Sequence, residues 1–358
     1  MMTLDRCHTK ISGQIVVILM LWCVIFFMSG CDMSHESAAP VSISGPTMGT
    51  SYSIKLSELP ESVIQEELHK DVDYILERIN DQMSTYRPDS ELSRFNRFAG
   101  RDWFDVSPET AQVVREALSI SSKSRGAFDV TVGPLVNLWS FGPHQRERTV
   151  PSDGEIKDTL AIIGYQQLKV RATPPAMQKL VDGLEVDLSA IAKGFAVDQV
   201  ADLLIQRGVK GFLVEIGGEI RTYGTKANRT PWTVGIELPA DDQRSVQEVI
   251  NLGDHALATS GDYRNFFIQE GKRYSHTIDP RTGRPVEHRL ASVTVIAERC
   301  MFADAWATTL MVLGPEKGYE FAIGQGLAVV FVIRDKNGFS SKPTPAFNSI
   351  FAQKGVKH

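Results

Sequence analysis

The residues best suited to chemistry in this sequence fall into seven short stretches. Each combines small residues with hydroxyl, carboxyl or basic side chains in a way that a packed core does not require. They cover residues 47–50, 84–88 with Ser90, Glu91 and Arg94, 126–135, 186–194, 259–265, 276–285 and 303–309. Any one of these motifs is modest support for a function, so their meaning depends on whether they occur together.

A possible cation site lies in the last stretch. Asp304 and Thr308 are four residues apart on a predicted helix, so their oxygens face the same side. A carboxylate and a hydroxyl suit a hard cation such as Mg²⁺, which keeps several waters and shares its ligands with phosphates. The alternative is that Asp304 only stabilises a helix N-terminus electrostatically. Spacing alone leaves both interpretations open.

His276 is the candidate general base. A hydroxyl nucleophile is weak until a base takes its proton, and imidazole has a suitable pKa. Asp279 is placed to orient the ring, although Asp279-Pro280 is also typical of a turn. His255 and His288 lack such neighbours and are expected at the surface or at strand ends. Loop packing remains the alternative for His276.

Strands and helices must position these stretches. Alternating or short apolar runs predict strands over residues 51–56, 212–216, 232–237, 255–259, 292–296 and 328–333. Helical spacing predicts helices over residues 61–82, 108–121, within 187–207 and over 302–313, with Ser107 capping the second and Gly314 ending the last. Because strands and helices do not alternate regularly, the fold class is α+β, with largely antiparallel sheets and packed helices.

The N-terminus is typical of an export signal. A basic lead with Arg6 and Lys10 precedes an apolar run over residues 15–27, which is shorter than the about 20 residues of a spanning helix. Cys31 follows Ser29 and Gly30 and resembles the lipidated cysteine of a lipobox, although Met28 stands where leucine is usual. A plain signal peptide or an uncleaved anchor helix is the alternative.

Three regions are therefore expected: a lipoprotein signal peptide (residues 1–30), a flexible tether (31–45) and one catalytic domain (46–350). The chain is long enough for a sizeable core. Beyond the signal segment and Cys31, only Cys300 remains, which excludes an internal disulfide and a cysteine-based metal cluster. The formal charge of −5 is spread over interspersed residues, which argues against a nucleic-acid surface.

In their order along the chain, from Thr47 to about Gly314, the seven stretches resemble the ApbE family of FAD:protein FMN transferases. The resemblance implies an α+β, T-fold-related domain. It also implies an enzyme that binds FAD and Mg²⁺, joins FMN through a phosphoester bond to a threonine of a partner protein, and releases AMP. The family's acceptors resemble subunits of membrane redox pumps, such as the sodium-pumping quinone reductase and Rnf-type complexes.

The resemblance also implies roles for individual residues. His276 matches the catalytic base, and Asp304, Thr308 and the backbone carbonyl of Ala190 match the metal ligands. The flavin contacts match Met48, Tyr86, Ala127, Phe128, Asp129, Asp187, Lys193 and Ile278. Ala307 stands where some relatives have a second carboxylate, which bears on Mg²⁺ affinity.

These assignments are physically reasonable, but each has an ordinary alternative. Tyr86 can stack on a flat ring, and Lys193 can face a phosphate as a point charge. Without the resemblance, Phe128 and Ile278 would be expected in the core. Lys193 would be expected in solvent, and Asp187 would cap the following helix.

Two other functions remain open. In the first, water replaces threonine and FAD is hydrolysed to FMN and AMP. In the second, the chain is a non-enzymatic, membrane-tethered flavin-binding protein. The expected location is the periplasmic face of a bacterial inner membrane, through a lipid on Cys31, since Asp32 resembles an inner-membrane retention mark.

Overall fold

The structure is a computed structural model that describes residues 41–143, 147–238, 245–262, 265–336 and 338–352. The expected signal peptide, Cys31 and most of the tether lie outside these residues, as do Tyr263 and Arg264. Within this part of the chain, no helix is long and apolar enough to cross a membrane.

An antiparallel sheet of eight strands forms the centre of the fold. In chain order the strands are β1 (Val41–Thr47), β2 (Thr50–Leu56), β3 (Phe104–Asp105), β4 (Leu168–Ala172), β5 (Pro175–Lys179), β6 (Phe212–Ile216), β7 (Glu219–Tyr223), β8 (Thr233–Leu238), β9 (Ser245–Asn251), β10 (Ala256–Gly261), β11 (Phe266–Gln269), β12 (Lys272–Ser275), β13 (Ile278–Asp279), β14 (Arg284–Pro285), β15 (Leu290–Ala297), β16 (Ala328–Asp335) and β17 (Gly338–Pro343). The central sheet has the order β1-β2-β6-β7-β10-β15-β16-β17. Every neighbouring pair in it is antiparallel, which confirms the predicted fold class.

Nine α-helices accompany the sheets in the described residues. They are α1 (Gln65–Met83), α2 (Glu91–Arg97), α3 (Pro108–Lys123), α4 (Gly133–Leu138), α5 (Asp153–Leu160), α6 (Ala192–Gln206), α7 (Cys300–Leu313), α8 (Pro315–Gly324) and α9 (Pro345–Ala352). The most buried is α7, in which eleven of fourteen residues are buried. A helix that is apolar on nearly all sides belongs in a core, so a polar side chain on α7 needs a partner or a function.

Helices α6 and α7 pack closely because a glycine lies between them. A Cβ on Gly194 would collide with the backbone carbonyl of Cys300, so no other residue fits there without a shift. Each helix also caps the other. Asp198 of α6 accepts hydrogen bonds from the backbone N–H groups of Cys300 and Met301, and Asp304 of α7 accepts one from Gly194. The side chains between α6 and α7 are thereby fixed in position.

Smaller sheets and a satellite core lie around the central sheet. Strands β3, β5 and β4 form one sheet, and β8–β9, β11–β12 and β13–β14 are three hairpins. The satellite core contains Trp139, Phe267 and Ile278, and Trp139 donates its indole N–H to the Gly283 carbonyl at 2.8 Å. This core joins the loop after His276 to the region around α4.

Most predicted elements are present, with two boundary corrections. The tether was expected to continue to residue 45, but Val41–Thr47 forms strand β1, whose Ile43 is buried against the sheet. The alternation over residues 41–44 is too short to be recognised without the partner strand β2. The helix expected from residue 61 begins at Gln65, because a turn closed by Val63 and Pro60 precedes it. The strand at Phe212–Ile216 is as predicted.

Candidate functional site

The seven predicted stretches meet at one cavity of about 810 Å³. Each contributes at least one lining residue, represented by Thr50, Tyr86, Ala127, Asp187, Asn265, His276 and Asp304. These residues span more than 250 positions of sequence, so only the tertiary fold brings them together. A cavity of this size holds a ligand as large as a dinucleotide, since small-molecule sites range from about 300 to 1,000 Å³.

A cluster of three charged side chains lies in the wall of the cavity between α6, α7 and β7. Lys193 Nζ donates to Glu219 Oε1 at 2.6 Å, and the Glu219 side chain is only 5% exposed. Asp304, also buried, accepts from the backbone N–H of Gly194 at 3.0 Å. In the described part of the chain, Glu219 Oε2 has no hydrogen-bond donor. We call Lys193, Glu219 and Asp304 the open cluster.

The pKa values in the open cluster reflect an excess of negative charge. Burial and the Asp304 carboxylate raise the pKa of Glu219 to about 7. Burial also raises the pKa of Asp304, although Lys193 and the N–H of Gly194 oppose this change. Burial alone would lower the pKa of Lys193, but the two carboxylates raise it. Two carboxylates therefore compete for one ammonium group, and a further cation would stabilise the cluster.

The oxygen atoms near Asp304 match the needs of a small hard cation. Thr308, one helical turn after Asp304, lines the same cavity, as does Ala190 at the turn before α6. No three His, Cys, Asp or Glu side chains converge as a metal cluster among the described residues. A set with two carboxylates, a hydroxyl and a backbone carbonyl suits Mg²⁺, which keeps several waters, better than Zn²⁺. The unpaired Glu219 Oε2 would also suit a bound cation.

His276 reaches the cavity with a defined orientation. Its Nδ1 lies 3.0 Å from the backbone oxygen of Asn265, and a carbonyl only accepts hydrogen bonds. Nδ1 therefore carries the proton, which leaves the lone pair of the neutral ring on Nε2. Burial lowers the pKa of His276, against the opposing effects of the Asn265 carbonyl and Asp262. The imidazole is accordingly neutral at pH 7, the form that a general base requires.

Asp279 does not orient His276. Its carboxylate accepts three hydrogen bonds from Arg281, at 2.7 to 2.9 Å. Its backbone oxygen accepts from Thr282 and Gly283, which makes the turn that its sequence also indicated. The Asn265 carbonyl takes the expected orienting role instead, and a backbone partner from a distant loop leaves no signal in the sequence.

Seven of the eight predicted flavin contacts line the cavity: Tyr86, Ala127, Phe128, Asp129, Asp187, Lys193 and Ile278. Met48 does not. It occupies the tight turn between β1 and β2 with a left-handed φ of 49° and packs partly against the core. The two-residue turn between β1 and β2 requires this backbone conformation.

Two of the lining carboxylates, Asp129 and Asp187, already accept hydrogen bonds from other parts of the protein. Asp129 is buried, and its carboxylate accepts from Thr131 and from the backbone of Tyr165 at 2.6 to 2.8 Å. Asp187 accepts from the backbone of Ser189 at 2.8 Å, within a turn that precedes α6. Both carboxylates thus shape the cavity wall, whatever they contact in a ligand.

The aromatic and apolar lining residues fall into two groups. Phe128 and Ile278 belong to hydrophobic cores and also border the cavity. Each can therefore be a core residue and still reach a ligand in the cavity. Tyr86 is 68% exposed, and partial burial together with the Asp187 carboxylate raises its pKa. An exposed ring at the edge of a cavity is free to cover a flat ligand.

Glu219 is the residue that sequence reasoning missed. Gly217-Gly218 forms the β6–β7 turn, with both residues at positive φ. The turn delivers the next residue, Glu219, into the cavity wall. Ala307, by contrast, is buried in the core and does not border the cavity.

Comparisons with known proteins show the family of this chain. A model of the ApbE family matches residues 48–331. The FAD:protein FMN transferase of Vibrio cholerae is 47% identical over 329 residues, which cover 92% of this chain and 97% of that protein. The solved flavin transferase ApbE from Vibrio cholerae superposes with a TM-score of 0.81 at 48% identity, covering 87% of this chain and 99% of that one. The apo flavinyl transferase ApbE of Pseudomonas stutzeri gives 0.81 at 40% identity, covering 89% and 98%.

Proposed function

This chain belongs to the ApbE family, and from that premise we propose that it is an FAD:protein FMN transferase. It binds FAD, transfers FMN to a threonine of an acceptor protein through a phosphoester bond, and releases AMP. One observation carries the proposal: two kinds of group line the same cavity. The first is the neutral, oriented imidazole of His276, and the second is the pair of buried carboxylates, Glu219 and Asp304, whose charge Lys193 balances only in part. Nucleophile activation needs the first, and pyrophosphate cleavage with a divalent cation needs the second.

Mg²⁺ would be held by Asp304, Thr308 and the backbone carbonyl of Ala190, which border the same cavity. When bound, it neutralises charge on the pyrophosphate during transfer. We add Glu219 to this proposal, because its free Oε2 is the buried acceptor in the described residues best placed to complete the charge balance near Asp304. Lys193, held by Glu219, presents a fixed positive charge to a phosphate oxygen.

His276 activates the acceptor. Its Nε2 takes the proton of the threonine hydroxyl as the threonine oxygen forms a bond to the phosphorus on the FMN side. The bond from that phosphorus to the AMP phosphate oxygen breaks, and AMP leaves with the electron pair. The Nδ1–H hydrogen bond to Asn265 keeps the ring in the tautomer that makes this transfer possible.

The acceptors proposed are proteins like the flavinylated subunits of membrane redox pumps, of the sodium-pumping quinone reductase or Rnf type. Lipid attachment at Cys31 would hold the enzyme at the periplasmic face of an inner membrane, near such subunits. This part of the proposal rests on the sequence of residues 1–32. Cys31→Ala should leave an unprocessed or mislocalised precursor. If the variant is instead cleaved at the same position as the wild type and is soluble like it, the lipidation proposal is wrong.

One incubation tests the central activity. The protein is mixed with FAD, Mg²⁺ and a candidate acceptor, and the products are separated by gel and by chromatography. A fluorescent acceptor plus AMP is the expected result. Free FMN plus AMP would indicate hydrolysis, and intact bound FAD would indicate a carrier. An acceptor with its threonine changed to alanine is the matched control, and it should remain non-fluorescent.

A further inference from the structure

A second ion pair lies behind His276, outside the cavity lining. Asp262, which directly follows β10, accepts two hydrogen bonds from Arg334 of β16, at 2.6 and 2.9 Å. The Asp262 side chain is 14% exposed. Strand β15 lies between β10 and β16 in the sheet, so this pair spans a whole strand. Because the Arg334 guanidinium donates to both oxygens of the Asp262 carboxylate, the pair holds Asp262 in a defined position.

Arg273 of β12 fixes the same region from the other side. It donates to the backbone oxygen of Asp262 at 2.7 Å, and its guanidinium lies 3.9 Å from the centre of the Phe266 ring. Phe266 directly follows Asn265 in the chain. The backbone oxygen of Asn265 accepts from both the backbone N–H and the Nδ1–H of His276. Arg273 therefore links Asp262 to Phe266, the residue next to the carbonyl that orients His276.

We propose that Asp262, paired with Arg334, is the positioning residue for His276, and that it acts by fixing the Asn265 carbonyl against the ring. This proposal rests on the role of His276 as the base in the proposed function. Asp262 is not among the residues that line the cavity, so its effect on the ring would pass through the Asn265 backbone.

The same arrangement tunes the charge on His276. Two charged groups act on the ring among the described residues: Asp262, from the end of β10, and Lys193, from α6. The Asp262 carboxylate favours the protonated imidazole, whereas Lys193 and burial favour the neutral form. Arg334 offsets part of the negative charge of Asp262. Removing Asp262 and removing Arg334 should therefore change the basicity of His276 in opposite directions.

A direct titration of the ring distinguishes this role from a merely structural one. The imidazole carbon signals of the full chain are followed by NMR against pH without FAD, and His276→Ala identifies the His276 signal. Asp262→Asn should move its midpoint to lower pH, and Arg334→Met should move it to higher pH. An ion pair that only joined strands would leave the midpoint in place, or shift it the same way in both variants, and either result overturns the proposal.

Transfer kinetics supply the second readout. Asp262→Asn should slow FMN transfer by roughly 10- to 100-fold, because a small misplacement of a reacting group has this effect, while FAD affinity stays unchanged. Arg334→Lys should restore most of the rate lost in Arg334→Met. Asp202→Asn is the matched control, because Asp202 also pairs with arginines, Arg221 and Arg299, on the other side of α6. It should move neither the titration nor the rate.

The two proposals fail in different ways. If His276→Ala keeps the wild-type transfer rate, the base assignment fails, and so does the positioning role that depends on it. If His276→Ala is slow but Asp262→Asn and both Arg334 variants are as fast as the wild type, only the positioning role fails. Circular dichroism checks folding. If Asp262→Asn does not fold, the Arg334 variants decide: an upward midpoint shift with a rate rescued by lysine supports the role, and its absence overturns it.

Discussion

Two clusters of charged side chains lie around α6, β7 and the N-terminal end of α7, and they differ in one respect. In the open cluster, two carboxylates share one ammonium group, and Glu219 Oε2 has no donor in the described part of the chain. The other, which we call the closed cluster, contains Asp198, Asp202, Arg221 and Arg299. Its two carboxylates face two guanidinium groups.

The closed cluster is saturated. Asp198 has no exposed surface and receives hydrogen bonds from two backbone N–H groups of α7 and from Arg221, all at 3.0 Å. Glu219 and Arg221 are two residues apart on β7 and therefore share one face of the strand. The same face of β7 thus supplies Glu219 to the open cluster and Arg221 to the closed cluster. Only in the closed cluster do the carboxylates have enough cationic partners.

The difference between the two clusters indicates which of them serves stability and which serves function. A buried polar atom without a partner costs about 1–3 kcal/mol, so the open cluster links α6 to α7 at a cost that the closed cluster avoids. The closed cluster shows that the same elements can satisfy their carboxylates. The open cluster is therefore best explained as a site that a ligand completes, and variants of the two clusters should have effects of different kinds.

The largest effect is expected at Asp304. Asp304→Ala should lower FMN transfer at fixed Mg²⁺ by roughly 10³-fold or more, because several kcal/mol of charge stabilisation are lost. Thr308→Ala should have the same effect more mildly. Mg²⁺ titrations of the transfer rate measure both. The wild-type Mg²⁺ dependence in Asp304→Ala would show that the open cluster is not the cation site.

His276→Ala should come next. Transfer should slow by roughly 10²- to 10⁴-fold, the usual range for a lost general base, while FAD and Mg²⁺ binding stay nearly intact. Binding isotherms and single-turnover rates separate these quantities. A large loss of Mg²⁺ affinity in this variant would mean that His276 belongs to the charge balance of the open cluster and not to proton transfer.

The pH dependence sharpens the same assignment. Because burial lowers the pKa of His276 below its usual value of about 6.5, the neutral base persists at pH 7. At saturating Mg²⁺, which favours the ionised form of Glu219, the transfer rate should therefore be flat near neutrality and fall only as pH drops through the lowered pKa of His276. A pH–rate profile of kcat/KM for the wild type checks this, and an acid limb above pH 7 would contradict the neutral form.

Stability variants give the direct contrast between the clusters. Asp198→Ala should reduce the free energy of unfolding by about 3–5 kcal/mol, because it leaves buried arginine charge and helix N–H groups unpaired. Its Mg²⁺ dependence should stay normal. Glu219→Gln should have the reverse pattern: weaker Mg²⁺ binding, with little loss of stability in the absence of Mg²⁺. Chemical denaturation with and without Mg²⁺ measures both, and equal destabilisation would remove the distinction.

The smallest effect is expected at Tyr86, which belongs to neither cluster. Tyr86→Ala should weaken FAD binding by about 1–3 kcal/mol, the range for a lost aromatic contact. Fluorescence titration of the folded variant with FAD measures the loss. Phe339→Ala is a control, because Phe339 is exposed on β17 and does not border the cavity. Equal FAD affinity in Tyr86→Ala and the wild type would remove Tyr86 from the site.

The sequence predicted the seven stretches and the helix of Asp304 because both depend on local patterns. Residue type and helical spacing are enough to place Asp304 and Thr308 on one side of α7. The importance of Glu219 could not be predicted in this way, since an isolated glutamate after a glycine pair gains meaning only when α6 and α7 enclose it. The partner of His276 could not be predicted for a related reason. It is a backbone carbonyl, which every residue has, so the sequence does not mark it.

Asp279 and Met48 differ from the other predicted residues. Asp279 is close to His276 in sequence and has the right chemistry, but Arg281 is closer still and takes its carboxylate. This local ion pair, which the motif does not encode, decides where the Asp279 side chain points. Met48 lies in the same motif as Thr50, which lines the cavity, but is not itself among the lining residues, and its contact with flavin stays a prediction.

The contact at Gly194 limits how the enzyme can move. Backbone lies against backbone there, so α6 has no side chain that could change rotamer to let it slide along α7. Shear between packed helices depends on such small rearrangements, and here it would separate both clusters at once. The helix pair therefore serves as a fixed frame, and the exposed ring of Tyr86 at the rim has more freedom to move.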